Sequence, residues 1–209
     1  MIEANVLLLF FTTSILLSLS PGPDNLFVLA QAAQQGVKAG FLVTLGLCGG
    51  LVVHTTAVTF GLAAVFAASA TAFTVLKFAG AAYLLFLAWQ SFRAGAQTGP
   101  ANKVDQLSPG KLFRRGIIMN VTNPKVSIFF LAFLPQFVDP RRGPLAVQFL
   151  LLGCLFIVAT ILVFGAVSLV AGALGDKLRQ SARAQLFLNR IAGTIFAGLA
   201  IKLATARRF

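Results

Sequence analysis

Three stretches of the chain, residues 4–23, 39–76 and 143–175, contain no Asp, Glu, Lys or Arg. An α-helix rises about 1.5 Å per residue, so roughly 20 apolar residues cross a hydrocarbon core of about 30 Å. Apolar runs set against polar interruptions predict six helices, at 4–34, 39–67, 71–92, 113–137, 144–173 and 186–206. The uncharged run 39–76 is too long for one crossing. It holds one span, a turn near Ser69–Thr71 and the start of the next. Lys77 and Lys202 fall near predicted helix ends, where a long stem lets the ammonium reach the interface. The only long polar connection, "RAGAQTGPANKVDQLSPGKLFRR" from Arg93 to Arg115, separates two groups of three helices. The chain reads as one transmembrane domain over 1–209, with a first half at 1–93, a linker at 94–112 and a second half at 113–209.

Composition agrees with that pattern. Hydrophobic residues make up 58% of the chain and charged residues 11%, where a soluble domain carries about a quarter charged. The expected fold class is therefore all-α and polytopic, in contact with the lipid bilayer. The apolar opening does not read as a removable signal: Glu3 stands where a basic region belongs, and no small-residue cleavage site closes the run. Cys48 and Cys154 both sit inside apolar spans, giving no disulfide framework and no metal-ligand spacing. Nothing in the sequence calls for a metal or a cofactor. A net charge of +12 invites a nucleic-acid reading. The Lys and Arg residues cluster at span ends, however, which is the pattern of basic juxtamembrane loops.

Those basic residues also set an orientation. The first, third and fifth loops hold Lys38, then Arg93, Lys103, Lys111, Arg114 and Arg115, then Lys177, Arg179, Arg183 and Arg190. The opposite side holds Lys77, Arg141, Arg142, Lys202, Arg207 and Arg208, ten against six. By the positive-inside rule the 94–112 linker is cytoplasmic and both termini lie outside.

The two halves echo each other. "SPGPDNLFVLA" in the first helix parallels "TNPKVSIFFLA" in the fourth, and "KFAGAAY" at 77–83 parallels "RIAGTIF" at 190–196. Halves with an odd number of helices must face opposite ways, so the expected architecture is two inverted three-helix repeats with helices 1 and 4 broken. Inverted repeats with broken helices at matching positions point to a transporter whose site lies between the halves. Chance likeness between apolar segments is the plain alternative.

The breaks carry the candidate chemistry. Asp24 lies at most roughly 21 Å from the cytoplasmic end and Lys125 roughly 15 Å, so both charges fall near mid-membrane. Ser20 can cap a half-helix beginning at Pro21, and Asn123 one beginning at Pro124. The N-terminal amides and the positive dipole end then offer a place for a carboxylate. With Asp24 for an ammonium and Lys125 for a carboxylate, the pair complements a zwitterion. The candidate substrate site is Ser20, Pro21, Gly22, Pro23, Asp24, Asn25, Asn120, Asn123, Pro124 and Lys125. A structural Asp24–Lys125 salt bridge that ties helix 1 to helix 4 is the competing reading. His54, the only histidine, can carry a proton near neutral pH, so Asp24 and His54 are the proton-coupling candidates. A neutral His54 hydrogen-bonded between helices is the competing reading and has the slight edge. Thr122, and Pro135 with Gln136, either line the site or satisfy carbonyls freed by proline. Gly46, Gly49, Gly50, Gly80 and Gly193 read as sites of close helix packing.

At these residues the sequence resembles the LysE/RhtB family of bacterial amino-acid exporters, and most closely its homoserine/threonine-resistance branch. The likeness runs through "LSLSPGPDNLFVLAQAAQQGVKAG", "LKFAGAAYLLFLAWQSFR" and "NVTNPKVSIFFLAFLPQF", in that order and over nearly the whole chain. The resemblance implies an inner-membrane exporter, and not an enzyme, of neutral amino acids or close derivatives, driven by the proton motive force. Both termini would then be periplasmic, the partners a small-molecule substrate and the bilayer, with a homo-oligomer compatible. Asp24 is the only acidic residue within a span, which argues against a dibasic substrate. Two other classes stand beside this one: a membrane thiol–disulfide oxidoreductase using Cys48 and Cys154, and a passive channel.

Overall fold

The computed structural model describes residues 2–20, 22–68, 70–95, 106–180 and 182–205. Pro21 and the expected turn residue Ser69 lie outside these, as do Lys103, Arg207 and Arg208 of the charge-bias argument. Among the described residues every regular element is helical. They are α1 (Ala4–Leu19), α2 (Pro23–Gln35), α3 (Val37–Ala68), α4 (Ala70–Arg93), α5 (Pro109–Val121), α6 (Pro124–Ile128), α7 (Leu145–Gln180) and α8 (Ala182–Thr205). α5 starts at Pro109, ahead of the expected 113, because Ser108–Pro109 is a natural helix entry with proline in the first turn. α7 continues to Gln180, past the expected 173.

Val37–Gly61 of α3 and Leu145–Ala171 of α7 are each long and apolar enough to cross a bilayer. Two bent pairs meet the same standard together, α1 with α2 at 62° and α5 with Pro124–Phe137 at 49°. α4 and α8 are 24 residues each, about 36 Å at the helical rise. Large apolar side chains such as Leu8, Phe60, Trp89, Val147 and Ile201 stand exposed on the outside of the bundle. A lipid-facing surface requires that arrangement.

Small residues set how the helices meet. A Cβ on Gly46 would overlap the Phe113 carbonyl, one on Gly116 the Val43 carbonyl, and one on Gly50 the Asn120 side chain. The contacts advance together along both elements, so α3 and α5 run parallel with their backbones touching. Gly40 meets Ser168 while Gly153 meets Thr55, so α3 and α7 are antiparallel. Gly80 against Leu203 and Gly193 against Phe92 make α4 and α8 antiparallel too. Lipid tails supply no hydrophobic drive between helices, and such close approach is how dispersion holds them instead. α2 packs between α3 and α7, and α1 packs on α7.

The fourth predicted helix is not one regular helix out to 137. After α6 the backbone widens into a π-helix at Phe129–Phe133 and tightens into a 3-10 helix at Leu134–Phe137. Pro135 has no N–H for the Leu131 carbonyl and its ring crowds the preceding turn, which forces the change of pitch. Gln136 Nε2 donates to the Ala132 carbonyl at 2.9 Å within this irregular turn. The wide turn seats Phe129 and Phe133 in a cluster with Phe10, Phe137 and Phe156, the ring centroids of neighbours 5.0–6.4 Å apart. At the same end of the bundle Arg141 and Arg142 pair with Asp139, and Arg142 bonds Glu3 at 2.6 Å, tying the start of the chain to the second half. The hydrogen bond from Arg141 holds the Asp139 carboxyl below its ordinary range.

Candidate functional site

The first break is set by two prolines. A residue before proline is pushed out of the helical region, and both Ser20 (φ −62°, ψ 126°) and Gly22 (φ −176°, ψ 177°) are extended. The expectation that Ser20 caps a helix starting at Pro21 is therefore corrected. Ser20 closes α1, Gly22 precedes α2, and Pro23 takes the first helical position. The second break has a single proline and follows expectation: Asn123 Oδ1 accepts from the Lys125 amide at 3.0 Å and Pro124 begins α6.

Each break strips hydrogen-bond donors from the turn before it. In a helix the carbonyls of Leu17 and Asn120 would accept from residues 21 and 124, which are prolines and have no N–H. A basic side chain from the other half of the chain bonds each, although the Asn120 carbonyl also accepts from the Asn123 amide at 3.1 Å. Lys125 Nζ donates to the Leu17 carbonyl at 3.3 Å and the Ser20 carbonyl at 3.0 Å. His54 Nε2 donates to the Asn120 carbonyl at 3.1 Å, with its ring against Phe130 at 5.4 Å between centroids. Gly22 leaves room for this: a Cβ there would lie 3.1 Å from Lys125 Nζ.

Asp24 and Lys125 are both buried, at 3% and 6% exposure. They do not form a direct ion pair, since no carboxylate oxygen of Asp24 approaches Nζ within 4.0 Å. Their charges attract across that gap. Helix ends stabilise each charge further. Lys125 sits at the negative C-terminal end of α1, and Asp24 lies in the first turn of α2, at its positive end. The helix end expected to receive an incoming carboxylate thus already carries one of its own. Asn120 Nδ2 holds Asp24 Oδ2 at 3.2 Å, and Asn25 Nδ2 holds the Ser18 carbonyl at 2.7 Å.

The breaks therefore bring together Ser20, Gly22, Asp24, Asn25, Asn120, Asn123 and Lys125, with His54 attached through Asn120. Pro23 and Pro124 face outward and are exposed, so they shape the backbone without lining the interior. Ser20 Oγ, Asn25 Oδ1 and Asn120 Oδ1 are buried and bond to no protein atom, and Asp24 Oδ1 and Asn123 Nδ2, whose side chains face one another, meet no partner at full hydrogen-bond geometry. Only Gln31 Nε2 and Thr160 Oγ1 share that condition among the described side chains, so the unpartnered groups gather at the breaks. The roles of the Leu17 and Ser20 carbonyls were missed from sequence. The sign was there in Pro21 standing one turn after Leu17.

A helical membrane bundle with a buried polar centre at two helix breaks has the build of a small-molecule transporter. The chain belongs to the LysE type translocator family, whose model it matches over residues 15–207. It is 35% identical over 198 residues to the homoserine/homoserine lactone efflux protein of Salmonella typhi, covering 95% of each chain. It is also 33% identical over 205 residues to an uncharacterized membrane protein of Vibrio cholerae, covering 98% of this chain and 99% of that one. No solved structure matches the chain.

Proposed function

We propose that this protein is a secondary transporter exporting a neutral α-amino acid or close derivative, homoserine- or threonine-like, across the inner membrane. The unpartnered groups at the breaks carry this reading. Asp24 Oδ1, Asn25 Oδ1 and Asn120 Oδ1 are three buried acceptors, and an ammonium has three N–H donors. Asn123 Nδ2, the Ser20 hydroxyl and the remaining N–H of Lys125 are donors suited to a carboxylate. A buried polar atom without a partner costs about 1–3 kcal/mol, and one zwitterion answers several of them at once. Asp24 takes the ammonium, and Lys125 takes the carboxylate. Lys125 then links substrate to backbone, because turning toward a carboxylate loosens its hold on Leu17 and Ser20. The lactone in the Salmonella relative's name keeps the amino group for Asp24, and its neutral carbonyl still accepts from Lys125 or Asn123.

Around this site we place six spans as two inverted three-helix repeats. Packing supports it: α1 and α2 lie on α7 as α5 lies on α3, while α3 meets α7 and α4 meets α8. Exchanging the halves maps these pairs onto one another. The helix directions found at the glycine contacts are those that six alternating crossings require. The charge bias puts the linker in the cytoplasm and both termini in the periplasm. Proton coupling runs through Asp24 and His54, which Asn120 joins. Since Nε2 of His54 is the donor to Asn120, an added proton binds at Nδ1.

The thiol–disulfide reading has no geometric support. Cys48 is buried and Cys154 exposed, and the antiparallel register of α3 and α7 sets them about 9 Å apart along the axis. A disulfide needs Cα atoms within about 4.4–6.8 Å. Purified protein in vesicles loaded with labelled L-homoserine should release it, and faster under an imposed pH gradient. Release of none of a panel of neutral amino acids contradicts the proposal.

A further inference from the structure

Two buried hydroxyls bond to no protein atom, Ser20 Oγ at the first break and Thr160 Oγ1 in the middle of α7. Thr13, Ser14, Thr44, Thr55, Thr59 and Ser168 each donate to the carbonyl one turn earlier in their own helix. That bond is the local partner open to a Ser or Thr inside a helix, at a small cost to helix geometry. Thr160 of α7 is 2% exposed, yet its Oγ1 makes neither that bond nor any other. Its hydroxyl is buried inside the bundle without a partner.

Two registers that share the Gly40–Ser168 contact place it at the depth of the site. Ala32 of α2 and Ser168 of α7 both touch Gly40, so they lie at one level. α2 and α7 are each antiparallel to α3 and so run parallel to one another. Eight residues back along each helix, about 12 Å, brings Asp24 level with Thr160. The second register passes through α3. Gly40 with Ser168 and Thr55 with Gly153 set Thr160 opposite residue 48, whereas Gly50 touches Asn120, the partner of Asp24. Those positions differ by two residues, about 3 Å. Gly153, Thr160 and Ser168 also share one stripe of α7, so Thr160 faces the bundle interior that α3 closes.

We propose that Thr160 is a specificity-determining residue of the substrate site, its hydroxyl bonding a hydroxyl on the side chain of the transported amino acid. This rests on the exporter reading above and adds to it. Asp24, Lys125 and the asparagines answer the ammonium and carboxylate that all α-amino acids share, so none of them distinguishes one side chain from another. Thr160 comes from a helix outside both breaks and is a neutral donor and acceptor. A site built to bond a substrate hydroxyl disfavours the analogue lacking it, because the protein group is then left buried and unpaired.

The test compares labelled L-homoserine with L-2-aminobutyrate, which differs by loss of the side-chain hydroxyl, in vesicles containing the full-length protein. The wild type should carry homoserine in preference. In Thr160→Val, which keeps the β-branch and removes the hydroxyl, the homoserine to 2-aminobutyrate ratio should fall about five- to tenfold. Thr160→Ser should restore it. A wild type that carries both compounds equally overturns the proposal even where the valine variant does not fold. A ratio unchanged in Thr160→Val overturns it as well, including a proportional loss of both substrates. A wild type that carries no amino acid refutes the exporter reading itself, a different result from equal carriage of both.

Discussion

Replacing Gly22 with alanine separates the geometry of the site from the stability of the fold. Gly22 is extended, at φ −176° and ψ 177°, a conformation alanine adopts freely. Reduced freedom in the unfolded chain then favours the variant by about 0.4–1 kcal/mol. The added methyl lies 3.1 Å from Lys125 Nζ and 3.5 Å from Cε, a few tenths of an ångström inside an optimal contact of about 3.5–4.0 Å. What stands in its way is the tip of a flexible side chain, so the ammonium yields and the backbone does not. Nζ must move while it holds Leu17 and Ser20 at 3.3 and 3.0 Å. Halving one charge-assisted bond of roughly 1.5–3 kcal/mol removes about 1 kcal/mol, which cancels the entropic gain. Gly22→Ala should therefore melt within about 1 kcal/mol of wild type but need about fivefold more substrate for half-maximal transport. Gly50→Ala is the contrast. Its Cβ would lie 2.6 Å from the Asn120 Cβ, an atom fixed to the α5 backbone, so α3 and α5 must part at about 1–3 kcal/mol. Thermal melting in detergent and vesicle transport, run on both variants, give the comparison. A Gly22→Ala protein that melts as low as Gly50→Ala, or transports with wild-type affinity, refutes this account of the first break.

His54→Gln preserves a donor for the Asn120 carbonyl but gains no proton, so it should flatten the response of efflux to an imposed pH gradient. If His54→Gln and Asp24→Asn each keep a normal response, the coupling assignment is wrong. The depressed Asp139 carboxyl means that the fold favours its ionised form. Its contribution is full above the ordinary carboxylate value of about 3.9 and fades as pH falls through the lower native value. Melting temperatures of wild type and Asp139→Asn should differ at pH 7 and converge below about pH 4; a gap that persists in acid counts against the Arg141 bond.

How much the sequence disclosed depends on whether a residue acts locally. The breaks were legible because proline acts on its own turn, and Asn123 before Pro124 is a local capping signal. The restart of the first helix at Pro23 was not, because two successive prolines compete and each extends the residue before it. Lys125 and Asp24 were legible as buried charges. Their partners were not, since the Leu17 and Ser20 carbonyls lie more than 100 residues from Lys125 in the chain. The link from His54 to Asn120 joins different elements in the same way. Thr160 gave no signal at all: a lone threonine in the apolar run 143–175 looks like any helix hydroxyl until its missing bond is seen.

If the two breaks form one site for a zwitterion, as proposed, its two charges are the groups whose loss transport should feel. Asp24→Asn and Lys125→Gln, each confirmed as inserted in the membrane, should each lower L-homoserine export about ten- to a hundredfold, the loss of one charge-assisted bond of roughly 1.5–3 kcal/mol. Wild-type export from either variant would contradict the account.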